Sequence, residues 1–150
     1  MLDERLIRCG VKAKDKEEVI KLLGDLLLKY GYVKESYTQA VIDREKVFPT
    51  GLEMPGDGYN VAIPHTDAVH VNKPAMAIAV LDSPVTFTHM ATDDQPVPVD
   101  LVFALALNDP QQVVAFLKDL INALQDHDLR KNLKEASSPS QIVELLSKYI

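Results

Sequence analysis

Only one cysteine stands in the 150 residues, so no disulfide can form within the chain and the fold must be held by packing alone. That thiol, Cys9, lies between Arg8 and Gly10 with no histidine or phosphate loop beside it, which reads as a small apolar residue rather than a nucleophile. Long apolar runs are missing too. None approaches the roughly 18 to 20 residues needed to cross a bilayer, which argues against direct membrane insertion. The opening MLDERLIRCG carries acids too early, and too short an apolar run, for a signal peptide, so a cytoplasmic protein is expected. Basic charge is in deficit: 16 Lys and Arg against 22 Asp and Glu give a net charge of -6. The cations are scattered among acids, leaving no phosphate-neutralising face and hence no nucleic-acid partner. Neither a Gly-x-x-x-x-Gly-Lys loop nor a Gly-x-Ser-x-Gly elbow occurs, which sets aside P-loop nucleotide binding and serine hydrolysis.

What is present suits one soluble domain over residues 1–150, with 47% hydrophobic and 25% charged residues. Apolar positions Val19, Ile20, Leu22, Leu23, Leu26 and Leu27 recur at helical spacing behind an Asp15 cap and before Gly31. A second helix is expected from about Lys34 to Glu45, with Tyr37, Val41 and Ile42 inward and Pro49 forbidding extension. Met76–Leu81 and Val85–Phe87 read as two strands around an Asp82-Ser83-Pro84 turn. The almost unbroken apolar run Val99–Leu107 suits a central strand buried on both faces. Asn108-Asp109-Pro110 starts a strongly striped helix to Asp126, and two shorter helices follow over about 128–135 and 140–149. Leu6–Val11 is either an edge strand or an irregular entry. Together these predict an α/β fold: a mostly mixed sheet packed with helices.

Chemistry concentrates in REKVFPTGLEMPGDGYNVAIPHTDAVH, residues 44–70. Arg44 falls in the last turn of the second helix, and a Pro- and Gly-rich loop leads to the short strand Val61–Ile63. Pro64 ends that strand's pairing and projects His65 from its terminus. By residue type alone His65 is either a functional imidazole or a hydrogen-bonded structural one. His65, Asp67 and His70 could supply an open metal site, but the spacing does not match a helical metal motif. His127 reads as an exposed turn residue and His89 as a strand end.

Taken together, Arg44-Glu45, Phe48-Pro49-Thr50-Gly51, Ala62-Ile63-Pro64-His65 with Ala68 and His70, and Asn108 with Pro110-Gln111-Gln112 resemble enzyme IIA of the fructose-mannitol class of the sugar phosphotransferase system. The galactitol type is the most similar branch, over nearly the whole chain. The resemblance implies that His65 accepts a phosphoryl group on Nε2 from the histidine phosphocarrier protein and passes it to a cysteine of enzyme IIB. The membrane enzyme IIC would be served indirectly, and the cargo would be a sugar alcohol, galactitol above all. No cofactor and no metal are implied. Arg44 would clamp the phosphoryl oxygens. Thr50, the amides around Gly51, His70, Gln111 and Gln112 are candidates to bind phosphate or orient the histidine. Mannitol-type members carry a second histidine where this chain reads Pro110-Gln111-Gln112-Val113. Phe48, Leu52, Met54 and Val71 are expected to form an apolar docking rim. The alternative use of the same phosphohistidine is regulatory, controlling a transcription regulator or kinase.

Overall fold

Asp15 begins the first helix as its sequence predicts: the carboxylate accepts the Glu18 amide at 2.9 Å, and α1 runs Lys16–Lys29. Gly31, at φ 79°, provides the left-handed turn that ends it. The structure is a computed structural model that describes every residue except Asp57 and Asp93. The Asp57 part of the Pro55–Gly58 loop therefore lies outside the described residues.

Among the described residues five strands form one sheet in the order β1-β4-β5-β3-β2. They are β1 (Ile7–Val11), β2 (Gly51–Leu52), β3 (Asn60–Ala62), β4 (Ala75–Thr88) and β5 (Pro96–Ala106). β5 is the centre, antiparallel to β4 and parallel to β3, while β1 is an edge strand parallel to β4. The mixed sheet with helices on both faces is the expected architecture.

Side-chain alternation divides the core in two. Ala75, Ala77 and Ala79 of β4 face α1 and α2 (Tyr37–Val47), and these small residues let α1 lie close to the sheet. Met76, Ile78 and Val80, with Leu101, Phe103 and Leu105 of β5, face α3 (Pro110–Leu124), α4 (His127–Glu135) and α5 (Pro139–Leu146). The helices on the first face also meet tightly: a Cβ on Gly24 would sit 2.0 Å from Thr38 Oγ1.

Four expectations need correction. Ala75–Thr88 is one strand, not two around a turn. Its pairing with β5 shifts between Val80 and Val85, so exposed Asp82-Ser83-Pro84 form an irregularity that lets proline remain in the strand. α2 begins at Tyr37 rather than Lys34, because Val33 bridges Val71 and the Lys34 amide donates to His70 O. β2 was not expected at all; two residues are too short for any alternation to register. On α3 only Leu120 and Leu124 are buried, and Val114 is 72% exposed, so the apolar stripe is not all core.

Candidate functional site

The backbone before His65 is fastened on both sides. Pro64 O accepts from the Leu105 amide of β5 at 3.0 Å. The Ile63 amide is shared between Thr50 Oγ1 at 3.2 Å and Thr50 O at 3.3 Å. Ile63 O in turn lies 2.8 Å from His65 Nδ1. A carbonyl can only accept, so Nδ1 carries the proton and Nε2 keeps a free lone pair. The orienting acceptor is thus the chain's own backbone, two residues back. Burial holds the His65 pKa below its usual 6.5, the Arg44 charge lowers it further, and the Ile63 bond and Asp67 oppose them. Near pH 7 the ring is therefore neutral, with its Nε2 lone pair free.

Arg44 stands in the last turn of α2, where Pro49 and the bond from Phe48 N to Arg44 O finish the helix. Its guanidinium carbon lies 4.9 Å from the centre of the Phe48 ring, and its Nε is buried without a hydrogen-bond partner. Among the described residues no carboxylate forms an ion pair with it. Arg44 and His65 together line two clefts of about 780 and 450 Å³. Phe48, Thr50, Met90 and Leu117 contribute to the first; Asp67, Val69, Pro110 and Val113 contribute to the second. A cation with spare donors therefore shares a recess with a neutral imidazole, an arrangement suited to receiving a tetrahedral dianion.

The remaining candidates divide. Thr50 lines the cleft, but both its donors are taken: its amide and its hydroxyl each reach the Glu45 carboxylate at 2.7 Å. Gly51 is needed for close approach, since a Cβ there would lie 2.6 Å from Thr88 O. His70 does not orient His65. Its Nδ1 pairs with Ser36 Oγ at 2.7 Å beside the start of α2, and it lines neither cleft. Gln111 and Gln112 are exposed and line neither cleft; Gln112 borders a separate apolar hollow with Phe116 and Ile150. Pro110 and Val113 of the same helical turn meet the recess instead. Of the residues expected at the rim, Phe48 is exposed and lines the first cleft, Leu52 is partly buried against the core and lines neither, and Met54 and Val71 are buried. Val47, Val69 and Met90 are the exposed apolar residues that do border the clefts. No cluster of three metal-ligating side chains occurs among the described residues, so His65, Asp67 and His70 do not converge. His127 is half-buried against Tyr59 and Gly56, contrary to the exposed residue expected, and its Nε2 is buried without a partner. Burial raises the Cys9 thiol pKa, which fits an unreactive residue.

Two residues escaped sequence reasoning. Glu45 is 3% exposed; its position in the Val41, Ile42, Glu45 spacing of the inward face was the available signal. Arg130 is fully buried and donates to Leu124, Gln125, Pro55, Gly58 and Tyr59 carbonyls, tying the Gly-rich loop to the end of α3. Nothing in its local sequence marks it. Of the Pro- and Gly-rich segment 48–60, Phe48, Pro49 and Thr50 line the first cleft, whereas the described residues of its Gly-rich part are held by Arg130 and line neither.

Residues 1–149 match the family described as phosphoenolpyruvate-dependent sugar phosphotransferase system, EIIA 2. The chain belongs to this family. As an enzyme IIA it is a phosphotransferase component, and its relatives cover it almost end to end. It is 34% identical to the galactitol-specific EIIA component of Escherichia coli K12, over 96% of this chain and 93% of that protein. It is 33% identical to the mannitol-specific EIICBA component of the same strain, over 92% of this chain and 21% of that longer protein. Among solved structures, the crystal structure of IIA mannitol from Escherichia coli superposes with a TM-score of 0.80 at 32% identity, over 97% of this chain and 99% of that one. The complex of enzyme IIA mannitol with phosphorylated enzyme IIB mannitol from Escherichia coli gives a TM-score of 0.80 at 31% identity, over 99% and 98%.

Proposed function

We propose that this enzyme IIA accepts a phosphoryl group on His65 Nε2 from the histidine phosphocarrier protein and delivers it to a cysteine of its enzyme IIB, serving galactitol uptake. The observation that carries the reading is the Nδ1 bond to Ile63 O, which leaves Nε2 as the free nucleophile in a recess it shares with Arg44. In the first step the Nε2 lone pair forms the N–P bond as the donor's N–P bond breaks. Positive charge grows on the ring, and the Ile63 carbonyl supports it through Nδ1–H. Arg44 offers donors to the phosphoryl oxygens as their charge spreads. In the second step an incoming thiolate forms a P–S bond, the N–P bond breaks, and His65 returns to its neutral form.

The partner reading is supported by the solved enzyme IIA–IIB complex of the mannitol system, and the galactitol reading by the identity to the galactitol-specific component. No helix among the described residues is long and apolar enough to cross a membrane, which accords with a cytoplasmic carrier whose membrane partner is enzyme IIC. The test is incubation with phosphoenolpyruvate, enzyme I and the phosphocarrier protein, read by intact mass at alkaline pH. One phosphate on the wild type and none on His65→Ala is expected, followed by transfer to galactitol enzyme IIB. An unphosphorylated wild type beside an active control carrier would overturn the reading. Phosphorylation without transfer to any enzyme IIB would point to the regulatory use.

A further inference from the structure

We infer that Glu45 and Thr50 are positioning residues for His65, holding from within the core the Ile63 backbone whose carbonyl keeps Nδ1–H in place and Nε2 toward the cleft. The inference rests on the carrier reading only for its kinetic consequence; its structural content stands on geometry.

Glu45 is a buried carboxylate whose two oxygens each accept one bond, from the Thr50 amide and the Thr50 hydroxyl, both at 2.7 Å. An ionised carboxylate can only accept. The Thr50 hydroxyl must therefore spend its proton on Glu45, which turns an oxygen lone pair toward the Ile63 amide at 3.2 Å. With its amide held there, and with Pro64 O held by Leu105 N, the Ile63 carbonyl is aimed at Nδ1 of His65. The Ile63 amide can only donate and the Ile63 carbonyl can only accept, so what Glu45 fixes is the Thr50 hydroxyl and, through it, the place of the Ile63 backbone. A neutral amide at position 45 could donate to the Thr50 hydroxyl instead of accepting from it, and that anchor of the Ile63 backbone would be loosened. The Ile63 amide also has Thr50 O within 3.3 Å, so loss of the hydroxyl loosens this anchor without abolishing it.

Geometry also explains why Arg44 and Glu45 are adjacent. Successive residues of a helix point about 100° apart, so one turn places the guanidinium in the cleft and the carboxylate in the core behind it. The phosphate clamp and the anchor of the nucleophile's backbone then share one rigid element. Burial pushes the Glu45 carboxyl pKa above its usual range, and the two Thr50 bonds, with the charges of Lys16 and Arg44, oppose that rise.

The test labels histidine with ¹⁵N and reads the His65 tautomer by NMR at neutral pH in the wild type, Glu45→Gln, Thr50→Val and Thr50→Ser. The wild type and Thr50→Ser should hold the proton on Nδ1. Glu45→Gln and Thr50→Val should populate the Nε2–H form and accept phosphate on the order of ten-fold more slowly, as expected of a displaced nucleophile. Folded Glu45→Gln and Thr50→Val proteins with the wild-type tautomer and rate would overturn the inference. If Glu45→Gln does not fold, the contrast between Thr50→Val and Thr50→Ser decides alone. If the wild type takes no phosphate, the carrier reading fails while the tautomer comparison still judges the positioning role.

Discussion

On the proposed reading, His65 must meet two demands that pull apart: enough burial to stay neutral, and enough access for a partner's phosphorus to reach it. Burial and the Arg44 charge keep the proton off Nε2 below the ordinary pH 6.5. An NMR titration should therefore place the His65 midpoint below 6.5, and Arg44→Gln should raise it by removing a repelling charge. The same variant should slow phosphoryl acceptance by about 10²- to 10³-fold, the typical loss on removing one donor that faces developing charge. Linkage fixes the sign for stability. The unfolded chain binds this proton more readily than the folded one, so stability is full above pH 6.5 and is lost as pH falls from 6.5 through the folded midpoint. An unchanged midpoint in Arg44→Gln would show that the two groups do not sense each other. The places of Arg44 in a last helical turn and of His65 just past Pro64 were legible in the sequence, whereas their chemical roles were implied by the family resemblance and not by spacing. The group orienting His65 was not, since a backbone carbonyl leaves no trace in residue identity. His70 misled because nearness in sequence says nothing about the competing Ser36 hydroxyl.

Among the elements, β2 is the smallest and the most exacting. Gly51 pairs with Ala62, and its oxygen accepts from Met90 N. With Thr88 O only 2.6 Å from a hypothetical Cβ, Gly51→Ala should cost about 1–3 kcal/mol, read as a lowered urea midpoint with unchanged slope. Arg130 plays the corresponding part on the other face of the sheet. Arg130→Met leaves the buried Leu124 carbonyl and the partly buried Pro55 and Tyr59 carbonyls without this donor, and about 3 kcal/mol of stability should go with them. Because the described residues of the clamped Pro55–Tyr59 stretch line neither cleft, folded Arg130→Met should keep the wild-type His65 midpoint; a shifted midpoint would mean that the loop reaches the site. The capped helices and the buried centre strand could be read directly, since Asp15, Asp109 and the Val99–Leu107 run each satisfy a local rule. The Asp82-Ser83-Pro84 signal could not, because a turn and a strand irregularity draw on the same residues and only pairing with β5 distinguishes them.

At the scale of the molecule, exposed Val47, Phe48, Val69 and Met90 border the recess of a chain carrying net charge -6. This apolar border is the surface on which donor and acceptor proteins would alternately dock. Val69→Asp should raise the KM for the phosphocarrier about ten-fold with kcat little changed, a loss of the size seen for a significant interface residue. A fall in kcat with constant KM would place Val69 in the chemistry instead of the docking. The strand order carries a further consequence, for the timing of synthesis. β3 pairs only with the two-residue β2 and with β5, and β5 is also the strand that joins β3 to β4. A chain emerging from the ribosome thus exposes His65 well before the strand that frames it has been made. On the proposed reading, the recess around His65 is complete only once residues 96–106 have been made and have paired with both β3 and β4, a non-local step of the kind that slows folding.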